Sequence, residues 1–230
     1  ATCLKAVYSV ADAVFLVDNQ RFVEKDSSLI NNMTAINQLI AEPFYDLLCA
    51  GEEKKAKHIG ARLLDAGDIA QTLGGWTVLG YGSFQLPAIR LPFWQRRNFR
   101  KKSAETHHGI QAMNQAISNL SLSCNPNDSA SALYLLSAPA EEMNMNVVKE
   151  FGDYLNEIAP KAIIRYGDYP RGGNRLTVTV ILSQLNYVEK VKQYYDRMPE
   201  LIEEKERTQQ EGKARLKELA AASMVVPSLM

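Results

Sequence analysis

Two aspartates, Asp65 and Asp68, stand three residues apart at the start of a short stretch with helical character, roughly residues 67–73. That spacing sends two carboxylates off the same turn of a helix. Such a pair can polarise a water. It can also simply cap the helix, with Asp68 settled near the positive end of the helix dipole. Taken alone, the pair reads first as capping. Asn19 ends a short apolar run, and Asn37 interrupts a long apolar helical stripe beside Ile36. Each amide offers an acceptor and two donors, a set able to pair with the polar edge of a ligand. A strand-end turn and a solvated helix position are the plain alternatives. Histidine adds nothing here. His107 and His108 are adjacent and point about 100° apart on a helix, His58 lies alone in a charged run, and no metal role is assigned to any of them.

A third candidate is the segment 83–103, which combines Pro87 and Pro92 with aromatic Phe84, Phe93, Trp94 and Phe99 and six basic residues from Arg90 to Lys102. It reads as a long exposed loop. Arginine and aromatic side chains could grip an acidic partner or a nucleic-acid strand, but an exposed loop is the simpler reading.

The elements that must position these residues follow from periodicity. Residues 1–10 look helical, and the apolar run 12–18 looks like a buried strand. Ser27 or Ser28 could cap the next helix. There Leu29, Met33, Ile36, Ile40, Phe44 and Leu47 recur every three or four residues, so one stripe is expected to be buried over more than four turns. Pro43 should kink that helix or end its first segment. Strand 76–82, helix 104–119, strand 132–137, helix 144–158 and strands 162–166 and 176–183 come next. Gly172 and Gly173 suggest a turn joining the last two strands as an antiparallel pair. A long charged helix, about 188–222, closes the chain. Strands and helices in this order make an α/β protein with a mixed sheet.

Bulk properties narrow the class. The 230 residues are 46% hydrophobic and 23% charged, an ordinary globular composition. Lys+Arg and Asp+Glu both total 26, without the basic surplus of a nucleic-acid binder. Cys3, Cys49 and Cys124 are odd in number and far apart, which argues against a disulfide framework or a zinc site. No apolar run approaches the roughly 18–20 residues of a membrane span. The expected location is the cytoplasm. Because residue 1 is Ala and helical character begins at once, a truncated chain is expected.

Three pieces in order resemble the tubulin/FtsZ GTPase superfamily, with the archaeal tubulin-like CetZ branch nearest. Val17–Asn19 (VDN) resembles the tubulin strand end I-D-N-E-A-L. Ala35–Asn37 (AIN) falls where the family's long central helix places a second guanine-contacting side chain. Leu63–Ile69 (LLDAGDI), followed by a helix and then VLGYG, resembles the catalytic loop N-x-D-x-x-[DE]-[VIF]. The resemblance covers nearly the whole chain. Leu63 stands where FtsZ has Asn, the 83–103 loop is long and basic, and the phosphate-binding signature G-G-G-T-G-[ST]-G is absent.

The resemblance implies a long central helix with a flanking strand, then a C-terminal domain with a mixed four-stranded sheet packed by helices. It divides the chain into residues 1–60, the end of the nucleotide-binding domain and the central helix; 61–186, the C-terminal domain with the catalytic loop; and 187–230, the terminal helix and tail. It makes Asp65 and Asp68 catalytic, acting on the next subunit's nucleotide, and Asn19 and Asn37 the guanine contacts. GTP or GDP with Mg is implied for the full-length protein, as is head-to-tail self-association into filaments, and the family position of residues 83–103 implies a lateral filament contact for that segment. The isolated chain should neither bind GTP tightly nor hydrolyse it, since phosphate binding needs the missing glycine-rich loop. Two alternatives stand: a non-enzymatic α/β protein-interaction module, and a nucleic-acid-associated protein using residues 83–103. What the gene encodes upstream of Ala1 discriminates them.

Overall fold

The computed structural model describes residues 2–22, 29–52, 64–86, 99–143 and 145–225. Two compact units emerge, residues 6–188 and, separately, residues 1–5 with 189–230. Helix α1 (Thr2–Val10) opens the chain. The larger unit continues with β1 (Ala13–Phe15), α2 (Leu29–Glu52), α3 (Ala66–Thr72), β2 (Gly75–Gln85), α4 (Phe99–Ser118), β3 (Ser129–Ala138), α5 (Met145–Ile158), β4 (Ile163–Pro170) and β5 (Arg175–Leu185).

One mixed sheet runs in the order β1-β2-β5-β3-β4. It has five strands rather than the four expected, because the flanking strand joins it: β1 pairs parallel with β2, from Ala13↔Gly75 to Phe15↔Thr77. That pairing satisfies backbone groups β2 would otherwise leave unmatched. The glycine pair at 172–173 does not close a hairpin either. β4 and β5 run in opposite directions, but β3 lies between them, parallel to β4 and antiparallel to β5. The reason is burial. Nearly every residue of β3 is buried, whereas β4 is half-buried over most of its length, so β4 takes the edge of the sheet and β3 lies inside it.

The sheet core gathers Leu47 and Ala50 of α2, Leu64, Ile69, Leu79, Leu133, Leu135 and Ile181. On the helix face opposing this cluster, Ile36 and Leu47 are buried, as is Pro43, through which the helix continues unbroken. The expected stripe is only partly covered. Met33 is 56% and Phe44 38% exposed, since they lie about 50° and 70° around the helix from the line of Ile36 and Leu47. The side chain of Leu29 lies outside the described residues.

Helix α4 rests against β2 at Gly82, where a Cβ would stand 1.9 Å from the Ala112 carbonyl oxygen and 2.7 Å from the Ala116 nitrogen. The glycines of VLGYG thus serve a close helix-on-strand approach. The 83–103 segment is shorter as a connection than expected: β2 extends to Gln85 and α4 begins at Phe99. Residues 87–98, with Arg90, Trp94, Arg96 and Arg97, lie outside the described residues, as do Ser27, Ser28, His58 and Leu63. The terminal helix is two helices, α6 (Glu189–Asp196) and α7 (Met198–Val225). Pro199 has no N–H to continue the helical ladder, and the break falls just before it.

Candidate functional site

The loop that carries the two aspartates is anchored from below. Leu64 is 1% exposed in the core, seated against β4 at Gly167, where a Cβ would come within 2.5 Å of the Leu64 Cβ. With Leu64 buried, Asp65 emerges at the surface in extended conformation (φ −103°, ψ 166°) as the N-cap of α3. The backbone N–H of Asp68 donates to Asp65 Oδ1 at 2.7 Å. On the inner side Ile69 and Thr72 are buried, and Thr72 Oγ1 donates to the Asp68 carbonyl at 2.8 Å.

Asp68 is half-buried and faces a cation from another strand. Arg165 Nε of β4 stands 3.7 Å from Asp68 Oδ1, while Arg165 Nη2 donates to Gln71 Oε1 at 2.9 Å. The structure therefore brings Asp65 and Asp68 together at one helix start. It also confirms that Asp65 caps. Capping uses Oδ1, and a carboxylate has a second oxygen with lone pairs of its own, so the cap leaves acceptor capacity for a water.

Asn19 is exposed on the short turn Asn19–Arg21, four residues past β1, which is a half-buried three-residue strand rather than the buried run 12–18 expected. Its approach is fixed by a buried serine. The Asp18 N–H donates to the Ser121 carbonyl at 2.7 Å, Ser121 Oγ donates to the Leu16 carbonyl at 2.6 Å, and the Leu79 N–H donates to Ser121 Oγ at 3.1 Å. Arg21 Nη2 adds a bond to the Ser118 carbonyl at 2.9 Å. Asn37 is exposed on α2. Asn19 and Asn37 thus stand on separate elements, and residues 23–28 between them lie outside the described residues.

Helix α2 is tied to the sheet by an ion pair between Arg171 and Asp46 and by an edge contact of Phe15 with Phe44 at 5.5 Å. The Asp46–Arg171 pair borders a cavity of about 390 Å³ with Tyr81 and Thr177. Burial pushes the Asp46 carboxyl above its ordinary range, while Arg171 pulls it back down. Burial also pushes the Cys124 thiol up to about 11, which makes it a poor nucleophile near neutrality.

Sequence reasoning missed Arg165 and Ser121. A lone arginine within the apolar strand IIRYGDYP was the available signal for the first. Ser121, one of three serines in a short loop stretch, carried none. Neither glycine pair forms a phosphate cradle: Gly75 begins a strand and Gly172–Gly173 joins two strands, whereas phosphate loops lead from strand to helix.

Residues 26–200 match the family described as tubulin-like CetZ, C-terminal domain. CetZ2 of Haloferax volcanii is 27% identical over 205 residues, covering 88% of this chain and 53% of CetZ2. Its structure, a GTPγS-bound protofilament, superposes with a TM-score of 0.72 at 26% identity, covering 89% of this chain and 56% of that one. The GDP-bound CetZ1 monomer from the same organism (TM-score 0.67, 20% identity, 84% and 51% covered) and an FtsZ dimer from M. jannaschii (0.59, 14%, 80% and 48%) share the fold. The chain spans about half the length of the curated relatives it matches. With a family match over three quarters of its length, the chain belongs to the tubulin-like CetZ proteins, within the tubulin/FtsZ superfamily, and carries their C-terminal domain.

Proposed function

We propose that this chain is the C-terminal part of a GTP-binding, GTP-hydrolysing cytoskeletal protein that polymerises head to tail, and that it supplies Asp65 and Asp68 to the nucleotide of the next subunit. The observation that carries this reading is the anchored loop: Leu64 fixed in the core sets Asp65 and Asp68 at the protein surface, where a second subunit could reach them. A hydrolytic water must be oriented in line with the leaving phosphate, and a carboxylate held on a short rigid helix meets that demand better than one on a loose loop. The CetZ2 protofilament with bound GTPγS supports the same reading by family.

In this account Asn19 and Asn37 would hold the guanine edge, and the phosphates would rest on a glycine-rich loop elsewhere in the full-length protein. Among the described residues no three His, Cys, Asp or Glu side chains converge on a cation site, so Mg would come with the phosphates. The proposed division is residues 1–60 for the end of the nucleotide domain and the central helix, 61–186 for the activating domain, and 187–230 for the terminal helix and tail. The proposed location is the cytoplasm; among the described residues no helix is long and apolar enough to cross a membrane. The cap made by Asp65 favours one rival, an interaction module in which both aspartates only stabilise α3.

The test uses a full-length protein containing this segment. Asp65→Ser keeps a capping oxygen and removes the carboxylate; Asp68→Asn removes the charge at constant size. Each is expected to slow phosphate release at least about a hundredfold while GTP affinity changes no more than a few-fold. Turnover near wild type in both variants would return the aspartates to a capping role.

A further inference from the structure

We infer that α7 is a self-association surface, on which two copies of this chain pair antiparallel about a two-fold axis passing between Gln209 and Gln210. The starting observation is an uncovered helix. Every residue from 201 to 220 is exposed, yet four are large and apolar: Leu201 (45% exposed), Ile202 (49%), Leu216 (68%) and Leu219 (60%). They share one face. At 3.6 residues per turn, Leu201 and Leu219 are about five full turns apart and point the same way, with Leu216 and Ile202 within about 100° of them. The apolar residues form two clusters, one near each end, and each cluster alone is too small to bury itself.

Symmetry decides the partner. The two clusters are nearly equidistant from the midpoint between Gln209 and Gln210. When a second copy lies antiparallel across that midpoint, Leu201 and Ile202 of one helix meet Leu216 and Leu219 of the other, twice over. Gly212 lies on the same face with nothing within 4 Å of where a Cβ would be, so the backbones can approach closely.

The charges agree with this register and oppose the parallel one. Glu204 and Arg215 lie on the same flank of the apolar face and at equal distances from the midpoint; Glu206 and Lys213 do the same on the other flank. In an antiparallel pair like flanks meet, so each Glu204 faces the partner's Arg215 and each Glu206 the partner's Lys213, four ion pairs in all. The intrahelical pair Arg207–Glu211, at 3.6 Å, points away from the seam and does not compete. A parallel pair would instead lay the glutamate-rich half, residues 200–206, against its own copy. This surface is independent of the nucleotide chemistry proposed above; in a filament-forming protein it would join copies of opposite direction.

Sedimentation of the 230-residue chain across a concentration range tests the proposal, with circular dichroism to verify that each variant keeps its helix content. Reversible dimers are expected. Glu204→Arg and Arg215→Glu should each weaken dimerisation about tenfold or more, because each change places like charges together at two symmetric contacts. The double exchange should recover wild-type association within about threefold. In a background lacking Cys3, Cys49 and Cys124, Gln209→Cys should give disulfide-linked dimers and Glu200→Cys should not. A chain that stays monomeric at every concentration, a double exchange that fails to recover, or cross-linking through Glu200→Cys instead would overturn the antiparallel pair.

Discussion

Asp65 has two separable properties, an oxygen that caps α3 and a charge at the protein surface, and substitutions can divide them. Asp65→Ala removes both and is expected to cost the 230-residue chain about 1 kcal/mol in a denaturant titration. Asp65→Ser keeps the capping oxygen and should stay within a few tenths of wild type, although both variants lack the charge proposed for catalysis. Equal losses for the two would mean that the carboxylate stabilises α3 beyond capping. Asp46 offers a second residue-scale test. Its carboxyl is held above the ordinary range mainly by burial, with Arg171 opposing. A raised folded value means the stabilising contribution is fully present below the unfolded value and is lost as pH rises through the folded one. The melting temperature of wild type relative to Asp46→Asn should therefore fall as pH rises through and above the carboxylate range, then level off. A constant difference across that range would contradict the burial argument. The three-residue spacing of Asp65 and Asp68 was legible in the sequence because a helix start is local. Arg165 was not, since its partner lies 97 residues away and nothing local encodes that meeting.

At the scale of elements, the helices and strands announced themselves through periodicity, and their neighbours did not. The apolar repeat in α2 identified a long helix, but a repeat every three or four residues describes a band wider than one contact, and Met33 and Phe44 fall on its uncovered side. Gly172 and Gly173 correctly marked a turn. Whether a third strand lies between the two it joins depends on burial summed over whole strands, and there β3 and β5 are both buried while β4 is left at the edge. The glycines of VLGYG make the tightest prediction at this scale. Gly82→Ala drives a methyl into the backbone of α4 at Ala112 and Ala116, neither of which can rotate away. A loss of about 3 kcal/mol is expected from urea midpoints, against little change for Gly172→Ala, which has nothing within 4 Å. A Gly82→Ala protein as stable as wild type would mean that α4 does not rest on β2 as described.

At the scale of the molecule, the proposed carboxylates and the nucleotide they would serve belong to different copies. Family membership was readable from three short motifs in order, and the α/β class from the alternation of strands and helices, because both are local features of the chain. The surface exposure of Asp65 is the physical link between fold and proposed function: Leu64, held under Gly167, leaves the following residue no route but outward. The most direct test mixes two full-length variants, each defective alone. One carries Asp68→Ala and binds GTP normally; the other carries Asn19→Ala with Asn37→Ala, keeps its aspartates and binds GTP poorly. Steady-state phosphate release from the mixture is expected to exceed clearly the sum of the two alone, because the intact Asp68 of one variant would reach GTP held by the other. A mixture that releases phosphate no faster than that sum, with copolymerisation of the two variants verified by sedimentation, would contradict a site shared between neighbouring copies.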